Sequence, residues 1–130
     1  MMRRSLFVFV LVLPLQLFGC RTAPEAGSAG YATRTSSGEV SFAITPRLEG
    51  SRLVFNVHSD THSGDLADLD LGKAFTLDAD GKVYRPVETR AFRGHHSDGA
   101  VAFDVGTAPS RFSLTISGVR SAQDVKLAWP

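Results

Sequence analysis

From residue 39 onward the chain alternates apolar and polar positions with a period of two, punctuated by clusters of Gly, Pro, Asp and Ser. A strand sends successive side chains to opposite faces, so this pattern predicts β-structure buried on one side. In EVSFAITP (39–46) the apolar set is Val40, Phe42 and Ile44, and Pro46 is expected to end the strand. An EGS turn leads into RLVFNVHSD (52–60), where Leu53, Phe55 and Val57 share one face and Asn56, His58 and Asp60 the other. KAFTLDADGKVYRPVE (73–88) is predicted as a hairpin, with Asp80 and Gly81 suited to a primed two-residue turn. GAVAFDVG (99–106), SRFSLTISG (110–118) and DVKLAWP (124–130) supply three further strands. Between them DLADLDL (65–71) fits either a short helical turn or a loop that tucks Leu66, Leu69 and Leu71 beneath a sheet.

About seven short strands with regular turns and no long amphipathic helix predict an all-β fold: a small immunoglobulin-like β-sandwich of antiparallel strands, with a small barrel as the alternative. The cysteine pair that marks antibody domains is missing, so the expectation concerns architecture only. Phe42, Phe55, Phe75, Phe103, Phe112 and Trp129 all fall on strand patterns, which makes them core candidates.

The N-terminus follows a different pattern. Arg3 and Arg4 precede the apolar run LFVFVLVLPLQLF (6–18), then Gly19 and Cys20. A basic n-region, an apolar h-region and a small residue before a cleavage point mark residues 1–19 as a signal peptide. The run is short for a membrane span, and Pro14 interrupts it. LFGC (17–20) resembles the lipobox of bacterial lipoproteins. That resemblance implies cleavage after Gly19, a diacylglycerol thioether on Cys20 and acylation of the new amino terminus; the alternative is a signal cut elsewhere, leaving a free thiol. The expected location is the cell envelope, lipid-anchored and facing the periplasm or the surface. Arg21, standing where an aspartate would suggest inner-membrane retention, favours the outer membrane.

Residues 20–38 carry the lipidated cysteine and a small, polar, aperiodic stretch that reads as a flexible linker, followed by one domain at 39–130. The formal charge of +1 includes Arg3 and Arg4, so residues 20–130 hold 12 basic against 13 acidic side chains. Near-neutrality removes the support for nucleic-acid binding and for electrostatic attachment to anionic lipid, leaving the lipid anchor as the membrane contact. Cys20 is the only cysteine, so with Cys20 acylated neither disulfide nor thiol chemistry is available.

Candidate chemistry lies in two histidine islands, FNVHSDTHSGD (55–65) and AFRGHHSDGA (91–100). Along an extended strand His58 and His62 would stand roughly 13 Å apart, and adjacent His95 and His96 point to opposite faces. The best metal constellation is therefore His62 with His95 or His96, joined by Asp60 or Asp65. Imidazole and carboxylate donors suit zinc or copper, whereas a thioether copper site lacks ligands because Met1 and Met2 are the only methionines. The competing reading has these histidines and the THS motif capping turns and satisfying backbone groups at the sandwich edge. Ser59, Ser63 and Ser97 lie near histidines, yet there is no nucleophile elbow, HExxH or phosphate-cradling loop, so no catalytic residue is assigned and no enzyme is expected. DADG (78–81) lacks the remaining ligands of a calcium loop and reads as a turn, and the acidic side chains of DLADLD read as a solvated face.

THSGDL (61–66), LDADGKVYRPVE (77–88), GHHSDGAVAF (94–103) and FSLTISGV (112–119) together resemble a family of uncharacterised secreted or lipid-anchored β-sandwich domains of bacteria and archaea, with THS and GHH as its motifs. The resemblance covers most of residues 39–129 and implies the fold and the envelope setting but no activity. The chain departs from the family in having TRAFRG where a tryptophan precedes the GHH glycines. Two functions are therefore expected in competition: a non-catalytic envelope interaction module with a protein partner, and a periplasmic or surface copper- or zinc-binding lipoprotein.

Overall fold

The computed structural model describes residues 30–119 and 123–130; the signal peptide, Cys20 and most of the linker lie outside the described residues. Two antiparallel sheets pack face to face. Sheet A runs in the order β1 (Arg34–Ser36), β2 (Val40–Glu49), β3 (Arg52–Thr61), β7 (His96–Asp104), β6 (Glu88–Arg90). Sheet B runs β5 (Lys82–Tyr84), β4 (Phe75–Ala79), β8 (Phe112–Ile116), β9 (Val125–Trp129). The chain is thus an all-β sandwich, as the alternation predicts. Nine strands form where about seven were expected, and the two extra ones, β1 and β6, are the three-residue edges of sheet A. Neither has a hydrophobic alternation to reveal it, because short edge strands take their stability from backbone pairing with a neighbour.

The inner faces are those expected. Val40, Phe42 and Ile44 of β2, Leu53, Phe55 and Val57 of β3, and Val101 and Phe103 of β7 are buried against Phe75, Leu77, Phe112, Leu114, Ile116 and Trp129. Phe55 lies at the centre, with its ring edge-on to Phe103, Phe112 and Trp129 at 5.6, 5.8 and 5.7 Å. Each fully buried ring contributes about 1.5–3 kcal/mol of apolar transfer, and the tilted geometry adds to it. Trp129 stacks on Phe112 at 5.2 Å and donates its indole N–H to the Ala32 carbonyl at 2.7 Å. Tyr31 stands edge-on to Phe112 at 4.9 Å, and Gly30 bridges to Arg47. Residues 30–36, which composition places in the linker, therefore belong to the sandwich.

Two boundaries differ from the sequence expectation. Pro46 does not end β2: it is buried mid-strand, paired with Phe55. Its carbonyl accepts from Tyr31 N, so its polar side faces β1 and not β3, and the β2–β3 ladder loses no donor to the proline ring. β7 begins at His96, earlier than the apolar run, because β3 extends to Thr61 and offers backbone partners as far as His96. The hairpin is as predicted, with Asp80 and Gly81 both at positive φ, 49° and 81°. The Asp80 carboxylate also accepts from Ser110 N and Arg111 N, which accounts for the calcium-like DADG as a loop clamp. DLADLDL follows the loop reading, with Leu66 and Leu71 buried, and the one-turn helix α1 (Leu71–Ala74), capped by Asp70, begins only at its last residue.

Candidate functional site

The register of β3 on β7 decides what the histidines meet. His58 stands opposite Asp98 and Asp60 opposite His96, all on the solvent face of sheet A. Cross-strand neighbours on one face of an antiparallel pair have Cβ atoms about 4.5–5.5 Å apart, so the two His–Asp couples form a compact square of alternating groups. His58 Nδ1 and Asp98 Oδ1 are 2.8 Å apart, and His96 Nδ1 contacts Asp60 Oδ1. Along β3, His58 Nε2 lies 3.6 Å from Asp60 Oδ2.

The electrostatics follow from these contacts. The hydrogen bond to Asp98 holds the His58 imidazole above its ordinary pKa of 6.5, against desolvation and with help from the charges of Asp98 and Asp60. The hydrogen bond from His96 holds the Asp60 carboxyl below its ordinary 3.8, assisted by the charges of His96, His58 and His62. Three imidazoles therefore act on the one carboxylate.

The expected metal set does not assemble in the expected way. His96 and Asp60 come together, as two of its five residues. His62 joins the group only through its charge effect on Asp60, and its backbone N–H is tied to the Glu39 carbonyl. His95 precedes β7, and its carbonyl accepts from Thr61 N, one step beyond the ladder. Asp65 accepts from Ala67 N and so caps its own turn. His58, left out of the expected set because an extended strand separates it from His62, is instead central. Its hydrogen-bond partner Asp98 lies 40 positions away in the chain, and only the strand register could have revealed it. Among the described residues no group of three or more His, Cys, Asp or Glu side chains stands in metal-holding geometry.

Beneath the square the THS and GHHS motifs perform structural work. Ser59 is fully buried and donates to the Ser97 carbonyl at 3.2 Å, while Ser97 Oγ accepts from Arg93 N at 3.1 Å. Thr61 Oγ1 donates to the Ser63 carbonyl at 2.7 Å, and Ser63 Oγ donates to Glu39. The three serines near histidines thus have backbone or Glu39 partners, and no hydrogen bond among the described residues joins one to an imidazole. Phe92, which the sequence reading passed over, is 1% exposed, and its ring lies over Gly99. Phe92 is the buried aromatic of the TRAFRG segment.

Further along the outer face of sheet A runs a shallow groove of about 230 Å³. Val54, Asn56, Ala100 and Ala102 form its floor, and Arg47, Glu49, Arg52, Glu88 and Arg90 its rim. Arg52 pairs with Glu88 at 2.9 Å and Arg47 with Glu49 at 2.5 Å. Past the end of β6 the surface opens again into a depression of about 530 Å³ bordered by Arg90, Arg93, His96 and Asp98. No described helix is long and apolar enough to cross a membrane. Comparison with protein-family models, with curated proteins and with solved structures returned no match to this chain.

Proposed function

We propose that this chain is a non-catalytic, lipid-anchored envelope module that presents the outer face of sheet A to a protein partner. The observation that carries the reading is the groove over β3 and β7, where small side chains, Ala100 and Ala102, leave room between charged rims. A small apolar floor with a polar rim is the usual anatomy of a protein contact patch. The anchor at Cys20 belongs to the same proposal and rests on the LFGC motif. Neither the groove nor the His–Asp square has an enclosed volume that would exclude water from a reacting group, which supports binding over catalysis.

Site-specific photo-crosslinking on cells tests the reading. A crosslinker at Ala100 is expected to capture one envelope protein, whereas the same group at Ser113, on β8 of the opposite sheet, captures none. Ala100→Arg, which fills the groove floor without touching the core, is expected to abolish the capture made from Val54. Equal labelling from both sheets, or capture indifferent to Ala100→Arg, rejects the proposal.

A further inference from the structure

Two of the arginines on the groove rim are neutralised where they stand, Arg47 by Glu49 and Arg52 by Glu88. Arg90 and Arg93 have no side-chain partner among the described residues, and both border the depression of about 530 Å³ past the end of β6. The segment that carries them is fastened at several points. Phe92, between them, is buried with its ring over Gly99. Arg93 N donates to Ser97 Oγ at 3.1 Å, and the His95 carbonyl accepts from Thr61 N at 3.2 Å. Gly94 takes φ 86°, a conformation that favours glycine. An incoming anion therefore does not have to order the backbone before the two side chains can meet it. The other charges of the depression are engaged: the Asp98 carboxylate accepts from His58 Nδ1 at 2.8 Å, and His96 is bonded to Asp60. Two planar guanidinium forks remain, each able to grip a carboxylate through paired N–H donors.

We infer that Arg90 and Arg93 form a carboxylate-binding subsite at the β6 end of the groove, which takes an acidic side chain of the protein partner. The inference rests on the proposed docking at sheet A and adds the partner's chemistry to it. Arg90 ties the two together: it borders both the groove and the depression, and it stands opposite Ala100 in the β6–β7 ladder. A partner segment lying over Ala100 and Ala102 thus brings its next residues beside Arg90 and Arg93. A Glu or Asp at that point is gripped by a guanidinium fork, whereas a Lys or Arg is repelled. The small side chains of the floor accept any slender segment, so the sign of the charge at the subsite is what selects the partner and sets its direction across the sheet.

Two measurements test the subsite. In the first, the full-length chain in non-ionic detergent micelles is titrated with tetraglutamate while the arginine Nε–H resonances are followed by NMR. Arg90 and Arg93 are expected to shift at least about threefold more than Arg34 and Arg111, which also lack a side-chain partner among the described residues, and to lose the shift at high salt. Tetraglutamine is expected to move neither. Shifts no larger at Arg90 and Arg93 than at Arg34 and Arg111, or equal shifts with tetraglutamine, overturn the subsite. In the second, the crosslink from Ala100 is repeated on cells carrying Arg90→Gln together with Arg93→Gln. Capture is expected to fall by at least about fivefold, and Arg111→Gln to leave it unchanged. Both replaced side chains are exposed, so the double variant should keep the wild-type circular dichroism spectrum. If it does not, Arg90→Lys with Arg93→Lys takes its place, keeping the charge but losing the fork, with a fall of at least about twofold expected. Capture that survives these replacements overturns the subsite and leaves the docking at the groove standing. Selective tetraglutamate shifts without any capture from the wild-type chain do the reverse, keeping the carboxylate site and rejecting the protein docking.

Discussion

Gly99 faces into the sandwich with the Phe92 ring laid over it. A Cβ at that position would stand 2.7 Å from Phe92 Cε1 and 2.9 Å from the Arg90 carbonyl, inside contact distance of both a ring and a backbone that cannot swing away. Gly99→Ala is therefore expected to destabilise by about 1–3 kcal/mol, as overpacking of a close-fitted core does. Phe92→Ala should cost more, about 3–5 kcal/mol, by leaving a void over a glycine that cannot fill it. Urea denaturation checks both, and the double variant gives the coupling: if Gly99→Ala costs as much in the Phe92→Ala background as alone, the ring is not what excludes the methyl. This contact was invisible in the sequence. Phe92 sits in TRAFRG without alternation on either side, and nothing local indicates that its partner is a strand glycine seven residues later.

At the level of the elements, the β4–β5 turn shows why part of the fold was legible and part was not. Asp-Gly between two alternating runs dictates a primed turn by local sterics alone, since both residues must take positive φ, and both do. Gly81→Val is expected to destabilise by roughly 1–2 kcal/mol, because φ +81° is hostile to a branched side chain. Asp80→Ala should cost about 1–3 kcal/mol by leaving Ser110 N and Arg111 N without their acceptor. Amide exchange at those two positions is the discriminating measurement, and protection unchanged in Asp80→Ala would refute the clamp. The inner faces of β2, β3 and β8 were legible for the same reason as the turn: alternation is local. The His–Asp square was not, because it depends on β3 and β7 pairing across some 40 intervening residues in one particular register. A slip of one residue would send His96 and Asp98 to the core side and Ser97 to solvent. Ser97 itself helps hold the register, through its carbonyl to Ser59 and its hydroxyl to Arg93.

For the molecule as a whole, the square sets a pH dependence of stability. His58 is held above 6.5, so its contribution is complete below that value and is lost as pH rises through the folded-state pKa. Asp60 is held below 3.8, so its contribution is present above that value and is lost as pH falls through the depressed one. The cluster therefore stabilises most between pH 3.8 and 6.5. The unfolding free energy from urea denaturation is expected to be higher near pH 5.5 than near pH 8, by less than about 1 kcal/mol for the largely exposed His58–Asp98 pair, and His58→Gln should shrink the difference. A difference that persists undiminished in that variant assigns the effect elsewhere. At the opposite side of the sandwich, Trp129→Phe keeps the stacking on Phe112 but loses the bond to Ala32, and is expected to cost about 1 kcal/mol while raising amide exchange in Tyr31 and β1. Unaltered exchange there would show that the indole N–H does not secure the segment. That hydrogen bond has a mechanical meaning. A pull on the residues before Gly30 enters the sandwich through Tyr31 and β1, and the side chain that fastens that entry to the other sheet by a hydrogen bond is Trp129, the only tryptophan in the chain. Tension would reach the last strand almost as soon as the first, and a red shift of the indole emission would report the moment the clasp opened.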